Sequence, residues 1–410
     1  MFAGVLGIAF QVLVSHQLRP AEFGGVFAVV TLISVVGIPA NAFTLLMARE
    51  TSRDRAQGQE ASSSTLLRQG DRALIVGGSA LGLILALSSP LVAGFFNVRI
   101  ELILAAAAGL PFALALPFLV GEFQGDQRFV ALSLLLVGQA GLKLVAATIL
   151  GNLFGALGVI AGISLGGVMV YLIARRLLHR KLSIRVRLPW LRSAVSYLLV
   201  ILPSTLAVAV LLSSDVLLVK HFFPTHIAGE YAAVAALGRA IFWGASGVAA
   251  VLFPKVVVRG SRDLSGFHLI SGSLLLVIIG GVSVLILLSL GSTWLITAFA
   301  GRDYTDAAGL LGWYALGMLL LGGAVILIAT LQSSGKPGFL AVLLPLSALE
   351  PIALATFHSS VIQVVQVVDV SMASIFAGLG ALYLVQEWGR RTAVTLVPSA
   401  STSAAIGNSG

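Results

Sequence analysis

The chain contains no cysteine in its 410 residues. Disulfides, thiol nucleophiles and cysteine-ligated metals are therefore excluded. Charge is nearly as scarce. Asp, Glu, Lys and Arg make up 10% of the residues, where soluble domains carry about 25%. Acidic residues are the rarer kind, 16 against 25 Lys and Arg. What fills the chain instead is apolar sequence, 58% of all residues, with a mean hydropathy of +1.04.

That sequence falls into twelve runs: 1–18, 23–47, 73–96, 102–120, 129–151, 157–174, 193–219, 228–253, 265–291, 307–331, 338–357 and 361–386. Each is close to the roughly 20 residues a helix needs to cross the hydrocarbon core. None shows the alternation over about 10 residues that marks a membrane β-strand. The chain reads as an all-α polytopic membrane protein of about twelve transmembrane helices.

Basic residues orient it. With the N-terminus placed in the cytoplasm, the cytoplasmic segments hold 19 of the 25 Lys and Arg. The opposite side holds four, Arg19, Arg99, Lys220 and Arg302, and two more, Lys143 and Arg239, fall inside spans. The positive-inside rule then puts both termini in the cytoplasm of a plasma or inner membrane. It also explains the net charge of +9, so no nucleic-acid partner is expected. No basic stretch precedes the first run and no small-residue site leads into a soluble domain, so no cleaved signal peptide is expected.

A basic stretch at 175–192 divides the chain into six spans and six. An N-lobe over 1–174, this cytoplasmic linker, a C-lobe over 193–391 and a disordered tail over 392–410 follow. An internal repeat supports the division. PAEFGGVF follows the first span and PTHIAGEY the seventh. At one offset of 204 residues, Pro20 pairs with Pro224, Gly25 with Gly229 and Phe27 with Tyr231. FQGDQRF closes the fourth span and LQSSGKPGF the tenth, with Gln124 and Gln332 at an offset of 208. Each half has an even number of spans, so a pseudo-two-fold along the membrane normal relates them. Transporters use such halves to rock about a site near the midplane.

Two six-helix lobes joined by a basic linker resemble the multidrug/oligosaccharidyl-lipid/polysaccharide (MOP) exporter superfamily. Within it, local patterns are similar to Wzx-type polysaccharide flippases. They are LRPAEFGGVFAVV after the first span, SSDVLLVKHFFPTHIAGEYAAV across the seventh and eighth, VLFPKV closing the eighth, and ATLQSSGKPGFLAVL from the tenth into the eleventh. The sequence as given starts without the family's usual basic leader, so either the start is expected to lie tight against the membrane or a few leader residues are expected to precede it. The resemblance covers about residues 1–390 and implies a MATE-like fold. It also implies a flippase, not an enzyme, that carries an undecaprenyl-diphosphate-linked oligosaccharide outward for cell-surface polysaccharide (O-antigen or exopolysaccharide) assembly. Membrane lipids and other polysaccharide-assembly proteins are its implied partners.

Ionisable residues inside spans cost a few kcal/mol each and usually face a cavity or a partner. Arg239, near the middle of the eighth span, and Lys143, near the middle of the fifth, are candidate substrate contacts. A guanidinium can hold a diphosphate bidentately, an ammonium as a point charge. Alternatively, Arg239 pairs with a carboxylate such as Asp215, and Lys143 snorkels along its stem. Asp215, Glu350 and Asp369, on the seventh, eleventh and twelfth spans, are candidates for an ion-coupling site. Na⁺ or H⁺ is the expected ion if one is used; no cofactor or metal is otherwise expected. The bland alternative leaves Asp215 and Asp369 solvated near the outer interface. Arg49 and Glu50 form either an inner-gate pair or a solvated helix end.

Other motifs carry less. GISLG at Gly162–Gly166 fits a hydrolase nucleophile pattern but lies within a helix, not at a strand–turn–helix. Gly158, Gly162 and Gly166 instead make successive G-x-x-x-G spacings, which predict close helix packing. His221 and His226 lack further ligands for a metal. Prolines 39, 111, 117, 203, 345 and 351 fall inside spans and favour kinks. Two rival functions remain: a multidrug antiporter of the same superfamily, whose cavity should be acidic, and a membrane-embedded polymerase or acyltransferase. The second needs a large outer loop or a catalytic cluster, and the longest outer loop is 292–306.

Overall fold

The structure, a computed structural model, describes residues 2–57, 60–178, 191–260, 267–333 and 337–395. Its regular elements there are all helical. They are α1 (Phe2–Gln17), α2 (Pro20–Gln57), α3 (Glu60–Leu87), α4 (Ser89–Phe95), α5 (Ile100–Gly125), α6 (Phe129–Leu177), α7 (Leu191–Leu211), α8 (Ser214–Phe222), α9 (Thr225–Gly260), α10 (Phe267–Leu290), α11 (Ser292–Ala300), α12 (Leu311–Ser333), α13 (Leu340–Thr356) and α14 (Val361–Thr395). Short 3-10 turns at 302–310 and 337–339 lead into α12 and α13. Ten stretches are long and apolar enough to cross a membrane, and α1 adds a shorter apolar helix. One of the ten, α6, is two spans, which completes the expected twelve.

The reversal inside α6 is made by Gly155, at φ 60° and ψ −139°. This is a backbone region that only glycine enters without strain. The two arms then run back along each other, and along the Gly158–Gly162–Gly166 stripe they approach backbone to backbone. A Cβ at Gly158 would lie 1.8 Å from the Leu150 carbonyl oxygen, one at Gly162 2.5 Å from Ala147 Cα, and one at Gly166 3.0 Å from Lys143 N. The G-x-x-x-G stripe is therefore a packing seam. Gly162→Leu should force the arms apart, cost about 3 kcal/mol or more, and remove the monodisperse peak in detergent size-exclusion. An unchanged peak and melting temperature would contradict the seam.

The helices form two lobes, α1–α6 and α7–α14. In the first, α2, α3 and α6 pack around α5; in the second, α9, α10 and α14 pack around α12. The fourth and tenth spans thus occupy equivalent central places, as the repeat requires. Two spans that read as continuous are broken. The third divides into α3 and α4 after Ser88, with Pro90 starting the new helix. The seventh divides into α7 and α8 at Leu212–Ser213. Large apolar side chains such as Leu91, Val130 and Leu290 stay more than three-quarters exposed, a cost in water that lipid removes. Linker residues 179–190 and tail residues 396–410 lie outside the described residues, and α14 continues to Thr395, past the expected start of the tail.

The lobes meet along α2, which packs on α7 and α9, and at the end of the bundle that is outer in the orientation expected from the basic loops. The two repeat motifs lie against each other there. A Cβ at Gly24 would be 2.8 Å from Gly229 N, and one at Gly229 only 1.9 Å from the Pro20 carbonyl oxygen. Gly25, the repeat partner of Gly229 in sequence, instead faces Val98 in its own lobe. Around this crossing, Tyr304 donates to the Leu18 carbonyl at 2.9 Å and packs edge-on to Phe23. Ser15 donates to Phe299 O at 2.8 Å, and the His221 ring stacks on Phe95 at 3.8 Å.

Candidate functional site

The N-lobe encloses a cavity of about 400 Å³ between α2, α5 and the two arms of α6. One side of α2 lines it through Ile33, Gly37, Asn41 and Thr44, at the spacing of a helix face. Among the described residues, Lys143 from the first arm of α6 is the only ionisable side chain on its wall. Its Nζ sits 4.0 Å from the centroid of the Phe10 ring, a cation–π contact. No carboxylate among the described residues forms a salt bridge with Lys143. The cavity is therefore electropositive, and an anion entering it would meet an uncompensated ammonium.

Arg239 lies elsewhere. It sits on α9 within the C-lobe, with its guanidinium over the Phe27 ring of α2 at 5.4 Å. Its Nη2 donates to Asp215 Oδ1 at 3.1 Å and its Nε to the Tyr314 hydroxyl at 3.1 Å. The other Asp215 oxygen accepts from Tyr314 at 2.9 Å and from Tyr231 at 3.0 Å. The Asp215 side chain is 1% exposed and that of Arg239 11%. Both carboxylate oxygens are thus engaged in charge-assisted bonds. Of the two readings offered for Arg239, the structure displays the ion pair with Asp215. Asp215 is not solvated, and Tyr231 and Tyr314, which complete the network, were not identified from sequence.

The other two carboxylates are placed differently. Glu350 on α13 is fully buried. Its carboxylate has no salt bridge among the described residues, and the Ser214 hydroxyl at the start of α8 lies beside it. The Ser213 hydroxyl is buried without a partner among the described residues. Asp369 on α14 stands against Gly317 of α12, where a glycine Cβ would come within 2.5 Å of its Oδ1. Asp215 is ion-paired with Arg239, and Glu350 lies close enough to that pair to feel the charges of both. Glu50 is 5% exposed, which corrects the reading of Glu50 as a solvated helix end. His221 stacks on Phe95 and bonds its carbonyl oxygen at 2.6 Å.

No family model matches the chain, and no curated protein sequence does. Solved structures do. An inward-facing multidrug-resistance MATE family transporter of the MOP superfamily aligns with a TM-score of 0.80 at 13% identity, covering 96% of each chain. The fold is that of the MOP superfamily. The lipid II flippase MurJ in an inward closed conformation aligns at 0.70 and 15% identity, over 94% of this chain and 86% of that one. A MOP-superfamily transporter from Pyrococcus furiosus, described as having a binding pocket of reversed polarity, aligns at 0.57 and 14% identity, over 96% and 92%. At these identities the likeness establishes the fold and leaves the Wzx-type resemblance to the argument from the cavity.

Proposed function

We propose that the protein is a flippase that moves a lipid-linked oligosaccharide diphosphate across the cytoplasmic membrane by alternating access. The observation that carries this reading is the wall of the N-lobe cavity, where Lys143 is the sole ionisable group and has no salt-bridged carboxylate among the described residues. A cationic chamber concentrates an anionic headgroup and disfavours a cationic drug. Arg239 serves the lobe interface and holds Asp215. Where an ion drives the cycle, Glu350 and Asp369 are the available carboxylates, since neither has a salt bridge among the described residues.

Lys143→Ala should lower export of surface polysaccharide about 10- to 100-fold, from about 1.5–3 kcal/mol for a hydrogen bond to a charged group, with protein level unchanged. Lys143→Arg should retain most of it. Full export by Lys143→Ala would overturn the assignment. A second reading, export of a multidrug substrate, draws on the TM-score of 0.80 with a MATE family transporter. It predicts that expression raises resistance to cationic dyes and that Lys143→Glu raises it further. The flippase reading predicts neither.

A further inference from the structure

Two other side chains on the cavity wall have no assigned work. Asn41 on α2 and Gln139 on the first arm of α6 both line it, and both are exposed to it. Amides within transmembrane helices normally hydrogen-bond across to a neighbouring helix, because hydrocarbon offers no alternative. Neither of these has a hydrogen-bond partner among the described residues. Their neighbours on the same wall behave in the ordinary way. Thr44 donates to the Pro117 carbonyl at 2.7 Å and Ser164 to the Ala105 carbonyl at 2.9 Å. The cavity thus offers one unpaired cation and two unspent amides, and little else that is polar.

Their placement is ordered. Gln139 and Lys143 are four residues apart on one helix, so they share a face and stand about 6 Å apart along its axis. That is roughly the length of one sugar ring. Asn41 faces them from α2. A carboxamide has two N–H donors and a carbonyl acceptor, which matches neighbouring hydroxyls that must both donate and accept. A phosphate would use only the N–H donors, because a phosphate only accepts, and would leave the amide carbonyl unused.

Building on the flippase reading above, we infer that Asn41 and Gln139 determine specificity by binding the uncharged, hydroxyl-bearing sugar next to the phosphate that Lys143 attracts. The cavity then selects a glycosylated polyprenyl diphosphate over the bare lipid diphosphate.

The test uses the full chain in nanodiscs, with two probes: undecaprenyl diphosphate, bare or carrying a single N-acetylhexosamine, followed by native mass spectrometry. The wild-type protein should bind the glycosylated lipid at least tenfold more tightly. Asn41→Leu and Gln139→Leu should each reduce that preference by about tenfold and leave the bare-lipid affinity within about twofold, which also reports that the variants are folded. Equal wild-type affinity for the two lipids, or an equal loss for both in the variants, overturns the inference and leaves the flippase reading standing. Failure of the wild-type protein to bind either diphosphate overturns both.

Discussion

Arg239→Ala should deprive the protein of its fold before it deprives it of transport. The substitution strands Asp215 at 1% exposure, with two tyrosine hydroxyls to hold its charge and no cation. Removing one member of a buried ion pair costs about 3–5 kcal/mol, a large part of the stability of a typical domain. The expected result is a fall of more than tenfold in monodisperse protein from detergent. Asp215→Asn introduced beside Arg239→Ala should recover much of it, because an amide oxygen still accepts from Tyr231 and Tyr314 without needing compensation. A well-folded Arg239→Ala protein that cannot export would reverse the assignment and return Arg239 to direct contact with substrate.

Gly229→Leu should hold the outer end open. A side chain there has no space, since its first carbon would lie 1.9 Å from the Pro20 carbonyl oxygen, and backbone cannot swing aside as a flexible side chain does. The absence of cysteine makes the consequence directly readable. Phe95→Cys with His221→Cys places two thiols where rings from opposite lobes stack at 3.8 Å. A short bis-methanethiosulfonate should join them efficiently in the otherwise unaltered chain. Adding Gly229→Leu should cut that joining at least fivefold and raise labelling of the two introduced thiols by a membrane-impermeant maleimide, with folded yield preserved. Undiminished cross-linking would show that the glycine crossing does not govern closure.

The spans, their number and the two-lobe plan were legible because each rests on run length and on where basic residues fall. The α6 seam was legible too, since Gly158, Gly162 and Gly166 repeat at the spacing of one helix face. What remained hidden was the direction in which each span faces. In water a polar stripe marks the exposed face of a helix, but lipid is as apolar as a core. Asn41 and Gln139 therefore passed unnoticed, although Gly37, Asn41 and Thr44 lie at one-face spacing on α2 and were the available signal. Asp215, Arg239 and Glu350 were recognised as notable from their charge alone. The Arg239–Asp215 pairing was one of the readings offered, but the tyrosines that complete it were not. Tyr314 comes from a helix distant in sequence, and Tyr231, though on the same helix as Arg239, carries no charge to single it out. The break between α7 and α8 is marked by nothing stronger than the Ser213–Ser214 pair.

The central claim is that the N-lobe cavity accepts an anionic lipid headgroup through Lys143. Its most direct measurement is flipping in proteoliposomes of a fluorescent polyprenyl-diphosphate oligosaccharide, scored by how much label becomes accessible to a membrane-impermeant quencher, beside uptake of the cationic dye ethidium. The account predicts flipping of the lipid by the wild-type protein, loss of that flipping in Lys143→Glu, and no ethidium transport by either. Ethidium transport by the wild-type protein without lipid flipping, increased in Lys143→Glu, would contradict it.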